Sequence, residues 1–289
     1  MEWERAKSYI LLFFVLLNIA LAALLFVERQ RYNLAPERTD AIVAIMEQNN
    51  ISMDTRVVRR FQPMRAMYVG GFYYDYDELI RVFFGDAQVT RLHGRRGYVY
   101  THVDEHDHGE LVIANGFVSY DNPYGLTGED GWISPFARTC ARTRADMFIR
   151  AHWPSFEFDA EVYRDDWFRF SYRQVYRGYV IHSNFIEIIV TERGIVQVEM
   201  QFGHVLEIVR DRQQIVAPDE ALLTFVQRIR GHAMVDPIVV TRMDLVHFQE
   251  IGSANQDARY RAEPFYRIFI EGGDDDPFLI NAFSNEVIN

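Results

Sequence analysis

FRFSYRQVYRGYVIHSNFIEIIVTERGIVQVEMQFGHVLEIV, residues 168–209, decides the fold class. It divides into three runs rich in aromatic and β-branched residues, 168–176, 179–190 and 195–209. Their connectors, Arg177-Gly178 and Thr191-Glu192-Arg193-Gly194, are short and glycine-bearing, so the runs read as an antiparallel meander. Downstream, Pro218-Asp219-Glu220 opens a helix with Ala221, Leu222, Phe225, Val226 and Ile229 along one side. Strands are expected at 238–248, 265–270 and 278–282, the last hairpin closing through the acidic turn 272–276.

Upstream, Pro36-Glu37-Arg38-Thr39-Asp40 starts a helix carrying Ile42, Val43, Ile45 and Met46, and Asn49-Asn50 ends it. Residues 67–74 read as a strand bent at Gly70-Gly71. Asp75 or Asp77 caps a short helix through Leu79, Ile80, Val82 and Phe83. Strands at 98–103 and 110–114 flank a polar turn, and a helix over 134–152 stops before Pro154. The class is therefore α+β. At 289 residues a single core usually divides, so two subdomains are expected, 31–154 and 155–289.

The N-terminal segment stands apart. Residues 9–27, YILLFFVLLNIALAALLFV, are broken by one polar side chain, Asn18. As a helix they extend about 28 Å, close to the ~30 Å hydrocarbon thickness of a bilayer. Ala20-Leu21-Ala22 has the small-x-small pattern of a signal-peptide cleavage site, but the apolar run continues past it, and Glu2 and Glu4 offset Arg5 and Lys7. A retained transmembrane helix is the expectation, with a stub at 1–8 on the far side. Arg5 and Lys7 before the span nearly balance Arg29 and Arg31 after it. Size and the single cysteine, Cys140, favour a cytoplasmic N-terminus and an extracytoplasmic bulk. A net charge of −11 opposes phosphate backbones, so no nucleic-acid partner is expected.

Few groups invite chemistry. His102, Asp104, His106 and His108 share one face of an extended strand, as zinc ligands would, yet Asp, His and Gly equally suit a polar hairpin tip. Asp274, Asp275 and Asp276 lack the EF-hand alternation and read as a solvated turn. Cys140 lies in an arginine-rich helix with no histidine motif beside it, and Arg138, Arg142, Arg144 and Arg150 read as that helix's solvated face. No nucleophile elbow, P-loop, dinucleotide fingerprint or zincin motif occurs, so neither an enzyme nor a cofactor is expected. The stronger candidate is the span itself. Leu11, Phe14, Asn18, Ala22 and Leu25 follow three- and four-residue spacing and form one stripe. An amide in hydrocarbon favours a polar partner and Ala22 permits close approach, so the stripe reads as a helix–helix interface; alternatively Asn18 bonds within its own helix.

Four stretches resemble the YycI family, membrane-anchored regulators of the YycFG (WalRK) two-component system. They are MEWERAKS at 1–8, FSYRQVYRGYVIHSNFIEIIVTERGIVQVEMQF at 170–202, VAPDEALLTFVQRI at 216–229, and AEPFYRIFI with FLINAFSNEVI within 262–288. Phe265-Tyr266 replaces the family's Ala-Trp, and Asn285 stands where a turn glycine is usual. The first half matches weakly. The resemblance implies an α+β extracytoplasmic region related to that of YycH. It also implies assembly with a YycH-like protein and a sensor histidine kinase of the YycG/WalK type, and modulation of that kinase through membrane helices. The rival expectations are a tethered ligand- or cell-wall-sensing domain and, further off, a metal-dependent envelope hydrolase using His102, His106 and His108.

Overall fold

The computed structural model describes residues 2–72, 74–94, 97–104, 107–114, 116–126, 137–164, 166–230, 237–249, 258–272 and 277–288. It is α+β, with one apolar N-terminal helix and a sheet-rich body. Two compact units share the chain in alternation. One comprises Met1–Met64, Gln213–Asp244 and Tyr266–Asn289, and the other Arg65–Arg212 and Leu245–Phe265. Residues 154 and 155 both lie inside the second unit, so the units do not succeed one another as the expected division into 31–154 and 155–289 has it. The physical reason is sheet pairing: strand β6 (Phe117–Leu126) pairs with β10 (Gly194–Gln201) across that point, and helix α4 (Arg138–His152), before it, packs on β7 (Phe156–Arg164) and β8 (Trp167–Tyr176), after it.

The first unit carries α1 (Glu2–Arg31), α2 (Pro36–Glu47), β1 (Ile51–Met53) and α5 (Pro218–Arg230). It also holds the first part of β12 (Ile238–Phe248), the last part of β13 (Arg259–Ile270), β14 (Phe278–Asn281) and β15 (Val287–Ile288). Strand β1 runs parallel to β12, Ile51 opposite Ile238. Helices α2 and α5 pack on each other, burying Ile42 and Met46 from one and Leu222, Phe225 and Val226 from the other. Arg38 grips the start of α5, its Nε 2.7 Å from Asp219 Oδ2. Asn50 ends the α2 turn at φ 58°, and Asn285 takes φ 62° in place of a turn glycine, a conformation Asn tolerates.

The second unit is built on an antiparallel sheet in the order β3 (Thr90–His93), β4 (Gly97–Asp104), β5 (Asp107–Ala114), β6 (Phe117–Leu126), β10 (Gly194–Gln201), β9 (Tyr179–Thr191), β8 (Trp167–Tyr176), β7 (Phe156–Arg164). Arg177 and Gly178 both take positive φ, 49° and 81°, which fits the tight turn expected between β8 and β9. One sheet face buries Leu111, Val118, Phe170, Ile186, Ile188, Val198 and Met200 against α4 and α3 (Tyr76–Phe84). The carboxylate of Asp75 caps α3 by accepting from Asp77 N at 3.0 Å and Glu78 N at 3.1 Å, worth about 1 kcal/mol.

The third expected run, 195–209, is two strands. β10 ends at Gln201, and β11 (Gly203–Ile208) leaves it to pair with β2 (Met67–Phe72). Buried Asn184 fixes the break, its amide donating to Gly203 O at 2.9 Å and its Oδ1 accepting from Gly203 N at 3.3 Å. A Cβ on Gly203 would stand 2.2 Å from Gly70 O, so only glycine fits that crossing.

Candidate functional site

Helix α1 is unbroken from Glu2 to Arg31, and its segment Lys7–Val27 has mean hydropathy 3.0 with none of it buried by protein. It is long and apolar enough to cross a membrane. Leu11, Phe14, Asn18, Ala22 and Leu25 are all exposed on it. The Asn18 amide donates to Phe14 O at 2.8 Å, one turn back. A carboxamide offers two N–H donors and an oxygen that can accept twice, so this bond uses a quarter of its capacity. The second N–H and the oxygen have no partner among the described residues.

What happens at the lower end of α1 escapes the sequence reading. The chain does not pass through a loose linker but is pinned at once. Phe61 N donates to Tyr32 O at 3.0 Å, Leu34 N donates to Arg59 O at 2.8 Å, and Asn33 bridges Arg60. The rings of Tyr32 and Phe61 meet edge to face, centroids 6.4 Å apart, and Leu34 and Phe61 are buried. The only signal in the sequence is the spacing of Val57 and Phe61 among the arginines of DTRVVRRFQ, residues 54–62. Around this foot lie two clefts. Phe26, Gln30, Asn33, Arg60 and Gln62 line one of about 470 Å³, and Arg31, Arg38, Phe61 and residues 214–217 with Glu220 line the other.

The remaining candidates fall in the second unit. The hairpin at 98–114 is longer than expected, with β4 and β5 paired out to Asp104 opposite Asp107. His102 is spent locally, its Nδ1 2.9 Å from Gln88 O and its ring against Phe84. His106 lies outside the described residues, as do the side chains of Asp104 and His108. Among the described residues no three His, Cys, Asp or Glu side chains gather as metal ligands. Asp274, Asp275 and Asp276 also lie outside them. Cys140 is exposed and free.

The arginine helix is less bland than a solvated face. Arg142 stacks 3.3 Å above the Phe158 ring and binds Asp146 at 2.9 Å, while Arg138 pairs with Glu161. Tyr172 donates to the same Asp146 at 2.7 Å, and burial, helped by that carboxylate, holds its hydroxyl well above the ordinary phenol range. On the sheet face away from the helices, Glu199 lies opposite Glu187, and partial burial with that like charge raises its carboxyl.

These groups are already engaged with one another and form no catalytic constellation of nucleophile, base and orienting group. The geometry singles out the apolar helix α1 and its pinned foot. No family model matches the chain. No curated protein matches it either. Among solved structures, an uncharacterized protein from Eubacterium rectale superposes with a TM-score of 0.56 at 10% identity, over 83% of this chain and 91% of that one. The fold is therefore shared with that protein. The Bacillus megaterium YpeB C-terminal domain gives 0.42 at 13% identity, over 75% of this chain and 98% of that domain.

Proposed function

We infer that the protein is a membrane-anchored accessory regulator that biases a sensor histidine kinase through lateral contact between membrane helices. The partners in this reading are a kinase of the YycG/WalK type and a YycH-like protein, with the N-terminus cytoplasmic and the body outside. The YycI resemblance of residues 170–202 and 262–288 supports it. One observation carries it: α1 runs unbroken into the body, and residues 32–34 are hydrogen-bonded to 59–61 immediately after it. A helix pinned this way passes rotation or tilt to the domain and takes it back, which a mere tether has no need to do.

The stripe Leu11, Phe14, Asn18, Ala22 and Leu25 is the contact face in this reading, because the uncommitted part of the Asn18 amide is stabilised by a partner in hydrocarbon. Such contacts contribute about 1 kcal/mol each. Several together shift a two-state kinase by a few-fold to ~100-fold, provided they favour one state over the other. The test replaces residues 9–27 with an unrelated membrane helix. Regulation should vanish while the body stays folded, and cysteines along the stripe should crosslink the native protein to the kinase. Full regulation by the chimera would refute it. The rival, a tethered sensing domain, draws on the Asn18 bond to Phe14 O, which lowers the need for a partner.

A further inference from the structure

The cleft between α1 and the segment that pins it is built unlike the rest of this acidic chain. Phe26 is among its walls and belongs to the run Lys7–Val27, which is long and apolar enough to cross a membrane. Gln30 lies one turn on, about 6 Å further along the helix axis. A headgroup layer is ~5–8 Å thick on each side of the hydrocarbon, so the cleft spans that layer. Its other walls are Asn33, Arg60 and Gln62. No carboxylate among the described residues lines it, although the chain as a whole carries −11. Arg60 is exposed and has no ion pair among the described residues. The volume, about 470 Å³, lies within the ~300–1,000 Å³ of small-ligand sites.

A guanidinium, three carboxamides and an aromatic side chain lining one cleft at the end of an apolar helix match a phosphodiester with an acyl chain attached. Arg offers a fork of parallel N–H donors to two phosphate oxygens, and Gln30 and Gln62 add neutral N–H groups. We propose that this cleft holds the headgroup phosphate of an anionic membrane phospholipid, with Arg60 on the phosphate and Phe26 beside the start of the acyl chain. The proposal rests on α1 spanning the bilayer. A lipid held there wedges between the helix and residues 60–62, and so stiffens the junction through which the helix is coupled to the body.

Full-length protein in detergent micelles tests it, with thermal midpoints read as phosphatidylglycerol, phosphatidylcholine or inorganic phosphate is added, and co-purified lipid counted by native mass spectrometry. Phosphatidylglycerol should raise the midpoint. Arg60→Gln should need about tenfold more of it for the same rise, since a charge-assisted bidentate contact is lost. Arg60→Lys should recover part of the response. Arg56→Gln, an exposed arginine of the same unit outside the cleft, should behave as wild type. Equal responses from wild type and Arg60→Gln, or an equal loss in Arg56→Gln, overturn the proposal. So does inorganic phosphate matching the lipid, which would make the cleft a free-anion site. Alkaline carbonate extraction separates the two premises. Protein released from membranes overturns the span and the cleft together, whereas retained protein with no lipid response overturns the cleft alone.

Discussion

Replacing Asp244 by alanine should be among the most damaging single changes in the first unit. The Arg267 side chain is 1% exposed. Its Nε stands 2.7 Å from Asp244 Oδ1 and its Nη2 2.8 Å from Oδ2, a bidentate fork closed on a carboxylate that is itself 27% exposed. Arg242 shares that carboxylate at 2.5 Å, and both guanidiniums approach Phe269 at about the same distance, 5.2 and 5.3 Å to its centroid. Alanine leaves a buried guanidinium facing a second cation with the shared anion gone. Removing one partner of a buried pair costs about 3–5 kcal/mol, and the partial exposure of Asp244 places this case near the lower end. At roughly 2–4 °C per kcal/mol for a domain of this size, the thermal midpoint should fall by about 6–12 °C.

The same geometry predicts an asymmetry. Arg267→Met removes the buried charge and fills its volume, while Asp244 keeps Arg242, so it should cost less than Asp244→Ala. Arg242→Gln, at 37% exposure, should cost about 1 kcal/mol or less. Circular dichroism melts of the detergent-solubilised full chain read all three. An Asp244→Ala midpoint within ~2 °C of wild type, or a larger loss in Arg267→Met, would refute the reasoning.

Two further predictions address coupling and pH. Alanines inserted between Val27 and Glu28 rotate the stripe against the body by about 100° each. Kinase regulation in the native host should therefore be lost at two insertions and return near seven, about 20° short of two full turns; a flat response would mark a slack connection. His247 is buried, its Nε2 donating to Arg65 O at 2.7 Å while Nδ1 has no partner among the described residues, and burial lowers its imidazole from the ordinary 6.5. As pH falls below about 6.5 the unfolded chain gains a proton that the folded chain resists, so stability is full above that value and declines beneath it. Urea midpoints from pH 7.5 to 5 should fall, and His247→Gln should flatten the slope. The residue left comes from His152, which partial burial lowers in the same sense. An unchanged slope would exclude His247 as its source.

Periodicity and turn chemistry are local, and where they governed the fold they were readable. The meander around Arg177-Gly178, the Asp75 cap and the apolar side of α5 all follow from neighbouring residues. Non-local pairing was not readable. Nothing within 195–209 marks Gln201 as the end of one strand, because the break is set by Asn184 across the sheet. The short edges β1 and β3 carry too few residues for a pattern, and both owe their existence to partners far along the chain or to β4. Of the candidate site, the apolar run and its stripe are plain in composition. The anchoring of residues 32–34 on 59–61 is not, since main-chain bonds of this kind leave no trace in side-chain identity.

The alternation of the two units along the chain has a biosynthetic consequence. The unit that carries the N-terminal helix is completed only by its last segment, Tyr266–Asn289, which supplies β14, β15 and the end of β13. Translation runs from the first residue onward, so the earliest part made waits longest for its partners, and a ribosome that stalls within the final strands leaves that unit unfinished. Nascent or truncated chains would then expose Leu222, Phe225 and Val226 to proteases, and only full-length copies would escape clearance.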